Sequence, residues 1–156
     1  PLPGDKAEAA IKKYLKSGKN ILLLHGSSAA FWHWDWWRKI VGHRWVRPND
    51  PDGIERSTHP VEPYEVTGCK ARHPLATQLE NMSIPSDEIY IDLEQVSPAI
   101  DLMETSYDGK RYVQCWSVSN EWGGEMIGFL PGHATTVSEH PVFLENLNKI
   151  ITHLQK

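Results

Sequence analysis

Four consecutive apolar residues, Ile21 to Leu24, end abruptly at His25-Gly26-Ser27-Ser28. An unbroken apolar run of this length after a helical pattern predicts a strand covered on both faces, as in a parallel sheet. The helical pattern occupies residues 5 to 17. Ala7, Ala10, Ile11, Tyr14 and Leu15 share one face, Asp5 and Glu8 read as a capping pair, and Gly18 reads as the stop. Residues 29 to 41 predict a second helix, followed by a Pro/Asp/Gly loop at 48 to 53. A strand is expected over 61–67, with Pro63 marking an edge or a bulge. Residues 87 to 93 alternate Ile89, Ile91 and Leu93 against Glu88, Tyr90 and Asp92, and predict a half-exposed strand. Further strands are expected over 100–106, 112–118 and 125–130, with Tyr107-Asp108-Gly109-Lys110 as a hairpin turn between the first two. The last helix opens at His140-Pro141 and carries Phe143, Leu144, Leu147, Ile150, Ile151 and Leu154 as its apolar stripe.

The order helix, strand, helix, several strands, helix reads as an α/β fold: a parallel sheet with flanking helices, forming one domain over residues 1–156. A parallel sheet normally begins with a strand that starts the first crossover. The opening helix here has none before it, so the order predicts a domain lacking its N-terminal strands in this chain. In open parallel sheets, ligands collect beyond the carboxyl ends of the strands, which is where His25 falls.

The bulk composition narrows the partners. With 156 residues the chain is long enough to bury one core. A net charge of −4 offers no footprint for nucleic acid, and no apolar run approaches the length of a membrane span. Neither nucleic acid nor a membrane is expected as a partner; a homo-oligomer is compatible with the composition. Cys69 and Cys115 make no disulfide framework and read as reduced thiols of a cytoplasmic protein, with secretion or a periplasmic location as the alternative. Seven tryptophans are present, and Trp32, Trp34, Trp36, Trp37 and Trp45 crowd into fourteen positions. Indole faces stack on sugars, but core packing is the commoner use, so most of these rings are expected inside, with one or two at a pocket rim.

The histidines sit beside turn residues: His59-Pro60, His73-Pro74 and His140-Pro141, with His25-Gly26 and Gly132-His133. Asp87-Glu88 adds a carboxylate pair. Histidine is the usual proton carrier near neutral pH and a common metal ligand. No local metal-ligand spacing exists, so any metal site must be assembled from distant positions. His33, His43, His140 and His153 read as structural or surface residues. Ser27 and Ser28 can meet a ligand or cap the following helix. His25-Gly26-Ser27-Ser28 does not match the G-x-S-x-G elbow of serine hydrolases.

Taken in order, these motifs resemble the ThuA-like (trehalose utilisation) family. The matching pieces are Tyr14-Leu15 through Leu22-Leu23-Leu24-His25-Gly26, Trp37 through Gly42, His59-Pro60, Tyr64-Glu65-Val66, His73-Pro74-Leu75-Ala76, Asp87-Glu88-Ile89-Tyr90, Trp116 and Gly132-His133. The resemblance implies a flavodoxin-like fold akin to class I glutamine amidotransferases. His25 then stands where those enzymes keep a nucleophilic cysteine, and His133 looks like their histidine, so Cys-dependent glutamine hydrolysis is not expected. The sequence departs from the family at Glu121-Trp122-Gly123-Gly124-Glu125-Met126. The implied activity concerns carbohydrates or their keto forms, a small-molecule carbohydrate being the expected partner. Chemistry would be acid/base or metal-assisted, with His25, His133 and Glu88 as catalytic candidates. Ser27, Trp34, Trp116 and Tyr90 are the substrate-binding candidates, and His25, His73 and His133 the ligands of a divalent metal such as zinc. The alternative is a non-catalytic sugar-binding or interaction module on the same scaffold.

Overall fold

Helix α1 (Asp5–Lys16) and strand β1 (Ile21–Leu24) form where the apolar pattern puts them, but β1 lies at a sheet edge with Leu24 exposed instead of being covered on both faces. The computed structural model describes residues 2–156. Gly4, not Asp5, is the N-cap of α1, and the Glu8 carboxylate accepts the Trp36 indole N–H at 2.6 Å instead of closing a capping box. After β1 come a 3₁₀ turn at His25–Ala29, the short helix α2 (Asp35–Arg38), and β2 (His43–Arg44). Strand β3 (Val61–Gly68), a 3₁₀ turn at Pro74–Thr77, β4 (Met82–Glu88) and β5 (Glu94–Gln95) follow. The chain continues through β6 (Ile100–Tyr107), β7 (Lys110–Ser119), β8 (Glu125–Phe129), the short α3 (Thr135–Ser138) and α4 (Pro141–Leu154).

The fold is α/β, with a six-stranded sheet in the order β1-β8-β7-β6-β3-β4 and a separate β2-β5 pair. The sheet is mixed, so the expected parallel arrangement holds only in part. Among the described residues only β1 and β8 run parallel; β7–β8, β6–β7, β3–β6 and β3–β4 are antiparallel. The cause is local. Asp108 and Gly109 both adopt positive φ, 48° and 72°, which is the two-residue turn whose twist suits an antiparallel hairpin. Asn120 closes the β7–β8 connection by accepting the Trp122 and Gly124 N–H groups on its side chain.

Two other expectations shift. The strand predicted over 87–93 lies five residues earlier, as β4. Ile89 and Ile91 stay buried, but the chain there makes only a bridge between Thr58 and Ile91. Pro85 is tolerated because β4 is the sheet edge, and Pro63 sits at a bulge in β3. The helix predicted over 29–41 shrinks to four residues. A continuous helix would spread its rings over three faces. Instead Phe31 turns to φ 53° and stacks on Trp34 at 4.2 Å, while Trp34 stacks on Trp36 at 5.5 Å. Tertiary packing overrides the weak helical preference of an aromatic-rich segment.

The core has two parts, one centred on β3, β4, β6 and α4, the other on Trp34, Trp37, Trp116 and Met126. In the second, the Trp116 indole lies flat against the backbone of Gly128, where a Cβ would overlap the ring. Gly128→Ala is therefore expected to lower unfolding free energy by roughly 2 kcal/mol or more, read by urea denaturation. Among the described residues no helix is long and apolar enough to cross a membrane.

Candidate functional site

The parallel pairing of β1 with β8 sets Leu24 opposite Phe129, so the residues following both strands emerge at one end of the sheet. His25 is the first residue beyond β1. It takes φ 46°, a left-handed conformation that costs a non-glycine residue of order 1 kcal/mol and recurs at functional positions. This turn brings His25 Nδ1 to 2.7 Å from the Leu130 carbonyl just beyond β8. A carbonyl only accepts, so the proton sits on Nδ1 and the Nε2 lone pair is free.

That lone pair faces three groups. His133 Nδ1 is 3.2 Å away, Tyr90 Oη 3.3 Å and Glu88 Oε2 3.5 Å. Glu88 Oε2 is also 3.4 Å from His133 Nδ1, and Glu88 Oε1 is 3.4 Å from His59 Nδ1. His25 and Glu88 are largely buried, whereas the His133 side chain is 58% exposed, so the cluster opens to solvent on the His133 side. Burial, followed by the charges of Glu88 and Asp87, pushes the Tyr90 phenol up to about 12. Tyr90 is therefore a protonated hydrogen-bond donor at neutral pH.

Asp87 builds the loop that carries His133. Its carboxylate accepts the backbone N–H groups of Gly132 (2.9 Å), His133 (3.1 Å) and Ala134 (2.9 Å) and is 2% exposed. The sequence ranked Glu88 ahead of Asp87 for chemistry. The structure gives Glu88 the contacts with imidazoles and Asp87 the backbone.

His73 does not join this cluster, which corrects its grouping with His25 and His133. It packs against Glu125, at the start of β8, four residues before Phe129 and therefore roughly 13 Å along the strand from the first cluster. There Glu125 receives His73 Nε2 and His153 Nε2 at 2.7 Å each, and Ser117 Oγ at 2.6 Å. Sequence reading missed this second triad. Its one signal was the departure from the family pattern at residues 121 to 126, which contains Glu125.

The two triads differ in tautomer. His73 Nδ1 accepts the Leu75 N–H at 3.2 Å, as the cap of the Pro74–Thr77 turn, so its proton sits on Nε2 and points at Glu125. A cation at that Nε2 would force the proton onto Nδ1, against another donor. His153 Nδ1 is buried with no partner to receive such a proton. In the first triad the shift is free: His25 already donates from Nδ1 to a carbonyl, and His133 is exposed. The second triad is thus a hydrogen-bonded clamp joining α4, β8 and the His73 turn.

Burial opposes ionisation of Glu125, but the hydrogen bonds from Ser117, His153 and His73 outweigh it and hold the carboxyl below its ordinary value of 4.5. A depressed carboxyl contributes stability that is present above pH 4.5 and lost as pH falls through the folded value. Glu125→Gln is expected to flatten that acid limb in urea denaturation series run from pH 6 to pH 3.

The remaining candidates separate by burial. Trp116 is fully buried and donates its indole N–H to the Val41 carbonyl at 2.8 Å; Trp34 is 4% exposed. Neither has a face to offer a sugar, which corrects their placement as substrate-binding residues: both rings were needed for the core. Tyr90 lies in the cluster. Ser27 is half-buried beside His25, and its hydroxyl donates to the Leu24 carbonyl at 2.6 Å. Burial raises the Cys69 thiol to about 11, Cys115 is fully buried, and neither belongs to the cluster.

A family model described as ThuA, trehalose utilisation, matches residues 2–153. Among solved structures, a ThuA-like protein from Parabacteroides merdae is similar, with a TM-score of 0.75 at 15% sequence identity. The alignment covers 94% of this chain and 64% of that one. No curated protein matches the chain.

Proposed function

The chain belongs to the ThuA family of trehalose utilisation, and from that premise we propose that the His25–Glu88–His133 cluster acts on a sugar or keto-sugar with a divalent cation such as zinc between its donor atoms. The carbohydrate-related role comes from the family. The chemistry is argued from one observation: His25 Nε2, His133 Nδ1 and Glu88 Oε2 form a triangle with sides of 3.2, 3.4 and 3.5 Å. Metal–ligand bonds of about 2.0–2.2 Å in tetrahedral geometry require ligand separations of roughly 3.3–3.6 Å. The triangle has that size, and the Leu130 carbonyl supplies the outer hydrogen bond that fixes a ligating histidine.

A cation bound there would polarise a sugar carbonyl or a bound water. The protein's own groups do the rest. Glu88 supplies the negative charge, Tyr90 offers its phenol proton to a substrate oxygen, and the exposed edge at His133 admits the sugar. The test uses trehalose and keto-trehalose as probes, with chelator-treated protein before and after zinc is restored. Zinc-dependent consumption of either sugar supports the proposal. Sugar binding without turnover in both states would instead make the chain a sugar-binding module.

A further inference from the structure

We propose that His59 is a further catalytic residue, the group that takes and returns the substrate's proton. Its imidazole is oriented by Glu88 and its backbone is pinned beside the cluster. The assignment rests on the reading of the cluster as a centre acting on keto-sugars.

His59 lies in an irregular, polar loop between β2 and β3. Its backbone is nevertheless fixed on both sides. Thr58 and Ile91 exchange two hydrogen bonds, at 3.2 and 3.0 Å, and the Ile89 N–H donates to the Pro60 carbonyl at 2.8 Å. These three bonds staple residues 58 to 60 alongside the segment that carries Glu88 and Tyr90. The ring sits 5.5 Å from Trp45 and 6.3 Å from Tyr90, so aromatic walls limit its rotation. Half of the side chain remains exposed.

The carboxylate decides which nitrogen is available. Glu88 turns Oε2 to His25 and His133 and Oε1 to His59 Nδ1 at 3.4 Å. The contact is longer than a closed hydrogen bond, but a carboxylate facing that nitrogen favours the proton on Nδ1 and leaves the lone pair on Nε2. A histidine with one nitrogen held by a carboxylate and the other free is the arrangement of a general base, and such contacts commonly tighten when substrate binds. His25 and His133 have their inward nitrogens committed to each other and to Glu88. His59 is the one imidazole contacting Glu88 that is not part of the His25–His133 triangle.

The step balances without a co-reactant. The C–H bond next to the sugar carbonyl breaks and its proton passes to His59 Nε2. The electron pair forms a carbon–carbon double bond as the carbonyl π electrons move onto oxygen. Return of a proton from His59 to the same carbon restores the ketone, and return in D₂O leaves deuterium there.

Deuterium uptake by keto-trehalose, followed by proton NMR with zinc-loaded protein, tests the assignment. His59→Gln is expected to slow exchange by about 10²–10⁴-fold, the usual contribution of general base catalysis. It should also leave zinc affinity within a few-fold, whereas His25→Ala should lose the zinc. Partial rescue of His59→Ala by added imidazole would support the role further. Exchange by His59→Gln within a few-fold of wild type would overturn it. If wild type itself exchanges nothing, the keto-sugar reading fails. The ¹⁵N spectrum of the His59 ring then decides separately: protonation at Nδ1 supports an oriented base, and protonation at Nε2 overturns it.

Discussion

Replacing His25 with alanine is expected to lower zinc affinity by more than about 100-fold and to leave the fold standing. Disturbing only the outer hydrogen bond of a metal ligand typically costs 10–100-fold, and here a ligand itself is removed. His133 and Glu88 remain, but two donors 3.4 Å apart make a weak site. The stability cost should be small, because the one bond to protein backbone that is lost is Nδ1–H to the Leu130 carbonyl, worth about 1 kcal/mol. Titration calorimetry of chelator-treated protein reads the effect. His73→Ala serves as the contrast and should change zinc affinity by no more than a few-fold, since its Nε2 proton and Leu75 contact disfavour ligation. Equal losses in the two variants would show that the tautomer argument is wrong.

Asp87→Ala should have the larger effect on the protein as a whole. Three backbone N–H groups converge on this buried carboxylate, and each would lose a charge-assisted bond. Leaving a buried donor unsatisfied costs about 1–3 kcal/mol, so the variant is expected to lose roughly 3–5 kcal/mol even if the loop relaxes to admit water. Asp87→Asn should recover only part of this, because its amide NH₂ would point at donors. Zinc binding should weaken in parallel, since Gly132-His133-Ala134 is the segment that carries the His133 ligand. Urea denaturation and zinc titration on the same samples test both halves. A variant that loses stability but binds zinc normally would separate Asp87 from the site.

Much of this could be read in the sequence, for physical reasons that differ by element. α4 was legible because Phe143, Leu147, Ile150 and Leu154 recur at helical spacing and pack into the core, though Leu144 and Ile151 of the predicted stripe stay exposed, and His140-Pro141 caps the helix through the Val142 N–H. β1 and His25 were legible because an apolar run that stops at a histidine has few other readings. The sheet's direction was legible in part: Asp108-Gly109 demands a hairpin, which conflicts with an all-parallel sheet. The tryptophan segment was not legible, since seven crowded residues from Phe31 to Trp37 are arranged by ring packing, which has no period. The split of the histidines into two triads was also hidden. His73 and His153 are eighty residues apart, and only the fold brings both to Glu125.

Anomalous diffraction at the zinc edge, on crystals of the zinc-loaded protein, tests the central claim most directly. A single strong peak is expected about 2.0–2.2 Å from His25 Nε2, His133 Nδ1 and a Glu88 oxygen. A peak between His73, Glu125 and His153, or none near His25, would contradict it.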